Sequence, residues 1–323
     1  MQAIKRLIPI VVFVFFLAGG TVLWLYRDAV QDWIVLRGYE PPEHIAQLAK
    51  DTRMTPYAER LFYVNQPTLD DKEAFNVNCA GIMAEASVLG CYRGDRGGIH
   101  IYRITDERLA GVEEVTAAHE MLHQAYDRLN PRERERINTL LQDYYEHDLD
   151  DASVREKLEL YRDGGIKTLV NEMHSIFGTE IAELPPELEE YYTQYFTDRQ
   201  QVVGFRQQSR AAFDEYRGQI RDFDDRLQNL QQQIDATQAA LERQLADINS
   251  MREQMDRDLE ADRVAEYNVQ VEPFNQLVES YNGQLQQARA LVDEYNQVVA
   301  ERNEIAVQVT DLNAALDSRF TPQ

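Results

Sequence analysis

His119, Glu120 and His123 stand together in the stretch TAAHEMLHQAYD. On a helix, side chains four residues apart project from one face, so two imidazoles can close on one metal ion. Glu120 falls about 100° further round the helix, beside the position such an ion leaves open. Zinc takes histidine nitrogens in tetrahedral geometry and lowers the pKa of a bound water. A carboxylate beside that water can accept its proton as the oxygen attacks a carbonyl. The ordinary alternative is two histidines packed inside a helix. With six histidines in 323 residues, chance sets this pattern in about one such chain in a hundred.

A catalytic zinc needs a third protein ligand and an open fourth position. LVNEMHSIFGTE, residues 169–180, offers Glu172, His174 and Glu180. Glu172 and His174 lie about 200° apart on a helix, so both cannot reach one metal. VTAAHEMLH and NEMHSIFGT resemble the two zinc-binding helices of the thermolysin-like metalloproteases, the gluzincins, over about two dozen residues. That resemblance implies a zincin-like domain that binds Zn2+ and hydrolyses peptide bonds in a peptide or protein substrate. It implies His119 and His123 as ligands, Glu120 as general base, and Glu172, the Glu of an Asn-Glu pair, as third ligand. The family's Asp that orients a zinc-bound histidine has no counterpart here, and Ser175 can partly replace it. His174, or Tyr191, Tyr192, Tyr195 or Arg199 of EEYYTQYFTDR, would donate to the oxyanion formed when water adds. The strand GIHIYRIT would form the rim where an extended substrate pairs.

The expected fold is α+β: a mainly helical domain with a small sheet over residues 27–200. PPEHIAQLAKD starts a helix at its prolines and ERLFYVNQP reads as a short strand. ASVLGCYR and GIHIYRIT read as a hairpin leading into the metal helix. Asn130 caps the next helix, Gly178 ends IKTLVNEMHSIF, and Pro185 and Pro186 open another. Residues 201–323 change character. Phe213, Ile220, Leu227, Ile234, Leu241, Ile248 and Met255 repeat every seven residues, as do Val264, Val271, Val278, Leu285, Val292, Val299 and Ala306. Two such runs predict an antiparallel coiled-coil hairpin, with Pro273 kinking or starting the second helix. Asn268, Asn275, Asn282, Asn296 and Asn303 follow that seam as a polar flank, or as a ladder for a partner.

Residues 1–26 are expected to form a cytoplasmic tail and a transmembrane anchor. Leu7 to Tyr26 is twenty residues without a charge, about 30 Å as a helix and enough for a bilayer core. Lys5 and Arg6 keep the short tail cytoplasmic, so the bulk of the chain is expected outside, on a single-pass protein. A signal peptide cleaved near Ala18–Gly20 is the alternative. Outside the membrane, Cys79 and Cys91, the only two cysteines, are expected to pair as a disulfide. With 56 acidic against 33 basic residues and a net charge of −23, the chain lacks the basic surface nucleic acid requires. The hairpin would bind a protein partner or self-associate. A different class of function, a catalytically inactive scaffold or cell-envelope tether, shares every feature except an intact and working His119, Glu120 and His123.

Overall fold

Prolines and side-chain caps start the helices of this chain. The structure, a computed structural model, describes residues 26–81, 88–94 and 97–319. In chain order it runs α1 (Arg27–Leu36), α2 (Glu43–Asp51), α3 (Pro56–Tyr63), β1 (Thr68–Asp70), α4 (Lys72–Asn78), β2 (Gly90–Arg93) and β3 (Gly98–Tyr102). There follow α5 (Val112–Asp127), α6 (Pro131–His147), α7 (Ala152–Glu159), α8 (Ile166–Glu180), α9 (Pro186–Tyr192), α10 (Arg199–Glu260) and α11 (Val264–Leu316). The fold is α+β, mostly helix with one three-stranded sheet among the described residues.

Asn130 accepts from the amides of Arg132 and Glu133 ahead of Pro131, and opens α6 as expected. The stretch ERLFYVNQP is not a strand. Thr55 accepts from the amide of Ala58 and Pro56 takes the first helical position, so the chain is helical through Tyr63. That cap outweighs the aromatic β-propensity of the segment.

The sheet order is β1-β3-β2, with β1 parallel and β2 antiparallel to β3. The expected hairpin is present, pairing Gly90 with Ile101 and Arg93 with Gly98. β3 is therefore the central strand, paired on both sides, and GIHIYRIT cannot be the rim. β2 is the edge. A disulfide between Cys79 and Cys91 ties the end of α4 to β2, beside the buried Phe75.

The metal helix α5 is packed on several sides through Ala117, Ala118, Met121, Leu122 and Ala125, all fully buried. Its main neighbour is α8, which contributes Val170, Met173, Ile176 and Phe177 to the same core. Gly178 does not end α8, which runs on to Glu180. Its role is close approach: a Cβ there would come within 2.5 Å of Leu122 Cδ1 and 2.8 Å of Tyr192 Cε1.

The chain divides into two compact units. The body holds everything up to Arg210 together with the stretch from Ala314 on, and the arm is Ala211–Asn313. The sequence-based boundary at 201–323 thus misplaces the C-terminal end. Ser318, fully buried, accepts from Asn76 through its carbonyl at 2.6 Å and donates its hydroxyl to the Val88 carbonyl at 2.6 Å.

Within the arm, two long helices meet at a turn where Asp262 takes a φ of 57° and Arg263 pairs with Asp258. Arg226 pairs with Glu294, and Gln244 with Ser280, nearer the turn on both helices. The helices therefore run antiparallel. Pro273 lies inside α11. Of the expected seam of α11, Val271, Val278, Leu285, Val299 and Ala306 are half-buried and Val264 and Val292 exposed, while the neighbouring Val298 and Leu312 are buried. The five asparagines of the flank are all exposed.

Among the described residues no helix is long and apolar enough to cross a membrane. Residues 7–25 of the expected anchor lie outside the described residues.

Candidate metal centre

α5 and α8 bring three potential ligands together. His119 and His123 project from α5, one turn apart, and Glu172 faces them from α8. The two histidine Nε2 atoms are 3.1 Å apart. Glu172 Oε2 lies 3.5 Å from His119 Nε2, and its Oε1 lies 3.6 Å from His123 Nε2. Ligands about 2.05 Å from a tetrahedral zinc stand about 3.3 Å from one another. The histidine pair and the approach of one Glu172 oxygen to each histidine are close to that edge, and one ligand atom from each of the three residues lies within 4.8 Å of the others. Glu172 Oε2 is buried with no hydrogen-bond partner, as an oxygen reserved for a cation would be. The donor set fits zinc.

The surroundings orient the ligands. His123 Nδ1 lies 3.1 Å from Asn171 Oδ1 and 3.3 Å from Ser175 Oγ. An acceptor on Nδ1 keeps the proton there and leaves Nε2 free to ligate. The expected help from Ser175 is therefore shared with Asn171, which the sequence alone does not single out. The Tyr92 ring stacks beside His123 with centroids 6.5 Å apart, and its hydroxyl donates to Gln124 Oε1 at 2.6 Å.

Burial is the largest influence on the Glu172 carboxyl and would raise its pKa. The charges of His123, His119 and Lys157 prevail, with the His119 ring 3.5 Å from Oε2, and hold it below the usual carboxylate range. Glu120, only 5% exposed, goes the other way. Burial pushes it up to about 7, with Glu172 adding to the rise, and His123 and the Tyr92 backbone amide opposing it. A bound dication would favour its charged form. Glu120 lies directly against strand β2, where a Cβ on Gly90 would meet Glu120 Oε1 at 2.6 Å and Cγ at 2.8 Å. The strand can pass this close only because residue 90 has no side chain.

The rival ligands are elsewhere. His174 is fully buried, with Nε2 2.8 Å from the Tyr191 hydroxyl. Burial first, and then the charges of His123 and His119, lower its pKa to about 3, so it stays neutral. Glu180 pairs with Lys157 and Arg206. Neither joins the ligand group.

The expected oxyanion donors are also engaged in packing. Tyr192 donates to the His174 carbonyl at 2.7 Å, and the Tyr191 and Tyr195 hydroxyls are 3.1 Å apart in the core. Arg199 pairs with Glu189 and donates to the carbonyls of Ile181 and Ala182.

Tyr161 is the residue that sequence reasoning missed. Burial raises its phenol pKa, and the charges of Glu172, Glu120 and Glu180 raise it further. It is thus a protonated donor within electrostatic reach of both Glu120 and Glu172. Its stretch, LELYRDGG, carries no pattern that would reveal this. No family model, curated protein or solved structure matches the chain.

Proposed function

We propose that this protein is a zinc-dependent metallopeptidase whose zincin-like body is anchored in a membrane by Leu7–Tyr26, with the bulk of the chain outside. The observation that carries the reading is the His119, His123 and Glu172 cluster, with the two Nε2 atoms 3.1 Å apart and one Glu172 oxygen 3.5 or 3.6 Å from each, next to the buried carboxyl of Glu120. A zinc ion held by these three residues supplies Lewis acidity and a bound water of lowered pKa.

The chain's own groups do the rest. Glu120 takes the proton of the attacking water and returns it to the leaving amine. Tyr161, whose phenol feels the charges of Glu172 and Glu120, is the donor we assign to the developing oxyanion. The free edge of β2, rather than β3, is where an extended peptide adds as a strand. The antiparallel pairing of α10 and α11 supports a coiled-coil arm, which positions the body, recruits substrate or joins copies of the chain.

Metal analysis and peptide hydrolysis on the purified chain test this. The wild type should carry about one zinc and cleave unstructured peptides. Glu120→Gln should keep the metal and lose about a hundred- to ten-thousand-fold in turnover, whereas Glu172→Ala should lose the metal itself. Zinc without hydrolysis of varied peptides would favour the inactive scaffold, and a wild type that takes up no zinc would end both the metal and the peptidase readings.

A further inference from the structure

Helix α1 carries an apolar face that nothing among the described residues covers. Tyr26 at its N-cap, Trp33 and Ile34 are 62%, 63% and 60% exposed, and Val30 is 38% exposed. At about 100° per residue, these four and Arg37 share one side, and the Arg37 guanidinium lies 5.6 Å from the Trp33 ring centroid. The opposite side is fastened to the body. Asp32, 2% exposed, lies 2.7 Å from Arg128 Nη2 and 3.6 Å from Arg60 Nε, and Asp28 lies 3.8 Å from Arg128 Nη1. The helix is thus held by its acidic face with its aromatic face turned outward.

What covers that face follows from chain continuity. The charge-free stretch ends at Tyr26 and α1 begins at Arg27, with no linker between them. If Leu7–Tyr26 fills a hydrocarbon core, α1 starts at its boundary, where the headgroup layer adds about 5–7 Å. Trp and Tyr collect at this depth, and Arg reaches lipid phosphate from it. Asp28 and Asp32 point the other way, clear of the lipid.

We propose that α1 is an interfacial helix, lying along the bilayer surface with Tyr26, Val30, Trp33 and Ile34 in the headgroup layer. The proposal rests on the reading of Leu7–Tyr26 as a membrane segment. Because Arg128 caps the C-terminal end of α5, the same contacts hold the metal helix at a set height above the lipid. Substrates would then be cut close to the membrane surface.

The two tryptophans, Trp24 and Trp33, separate the proposal from its premise. The full chain is reconstituted in phosphatidylcholine vesicles whose acyl chains carry bromine near the glycerol end. Trp24→Phe leaves Trp33 as the reporter, and Trp33→Phe leaves Trp24. Both reporters should lose at least about half of their fluorescence to the bromolipid, and both should be shielded from aqueous iodide. Quenching of Trp24 with Trp33 bright and open to iodide would overturn the interfacial helix and leave the anchor standing. If neither is quenched, the membrane segment fails and the proposal with it. If Trp33 is shielded from iodide but untouched by bromine, a protein surface, such as a second copy of the chain, covers α1 and the proposal is wrong.

Discussion

Asn171 Oδ1 lies 3.1 Å from Nδ1 of His123, so the residue beside one proposed ligand orients the ring of another on the facing helix. Asn171→Ala should weaken zinc affinity about ten- to a hundred-fold, the usual cost of losing such support. Ser175, at 3.3 Å from the same nitrogen, should keep the loss near the lower end. Chelator competition measures it. Unchanged affinity in an Asn171→Ala, Ser175→Ala double variant would show that His123 needs no such support.

Gly90 and Glu120 provide a second test. A methyl group at residue 90 would stand 2.5 Å from Thr116 Cγ2 and 2.6 Å from Glu120 Oε1. Either β2 or the carboxylate must move. Gly90→Ala should cost about 1–3 kcal/mol and reduce turnover well beyond the loss of folded protein, while zinc stays bound to ligands it does not touch. Denaturant melts, metal content and a peptide assay on the same sample separate these effects. Full activity would mean that Glu120 is not held where the strand places it.

Glu180 is a stability element with a defined pH window. Burial alone would raise its pKa, but Lys157 and Arg206 bring it from 4.5 down to about 2. A carboxyl with a depressed folded pKa stabilises fully above its unfolded pKa, and that contribution drains away as pH falls toward the folded value. At neutral pH, Glu180→Gln should be less stable by about 2–3 kcal/mol. The gap to wild type should begin to close below pH 4.5 and narrow down to about pH 2. Urea melts of both proteins across that range would show parallel curves if the ion pairs contribute nothing.

The arm should be removable, though not by truncation. Ending the chain at Arg210 deletes Ser318 and removes its hydrogen bonds with the Val88 carbonyl and the Asn76 amide. That variant should lose about 2 kcal/mol. Joining Arg210 to Ala314 through a short Gly-Ser linker retains Ser318, and should keep near-wild-type melting and zinc binding. Equal melting of the two variants would show that the returning C-terminal segment is dispensable.

The candidate metal site was readable where its logic is local. His119, Glu120 and His123 follow from helical spacing alone, and a helix with this period can hardly present them otherwise. Glu172 needed the resemblance, because the approach of α8 to α5 is decided by packing at Leu122 and Gly178, positions whose contact no spacing rule specifies. The tyrosines of EEYYTQYF have the same spacing whether they line a cleft or a core, and here they line the core. Tyr161 gave no signal because only the fold sets it near Glu120 and Glu172. Strand β1, three residues long, is too short for alternation to register. In the arm, periodicity revealed the helices, while the fully buried Val298 and Leu312 fall one residue off the expected repeat.

Both roots of the arm grip a wall of the metal centre. α10 begins at Arg199, which holds the carbonyls of Ile181 and Ala182 immediately after α8, and Arg206 pairs with Glu180 at the end of α8. α11 ends just before Ser318, which holds Val88, two residues ahead of Gly90. The body segments on either side of the arm thus close on the two walls of the candidate centre, one behind Glu172 and one behind Glu120. A strain entering the body along either segment would be felt as a change in the spacing between those two carboxylates.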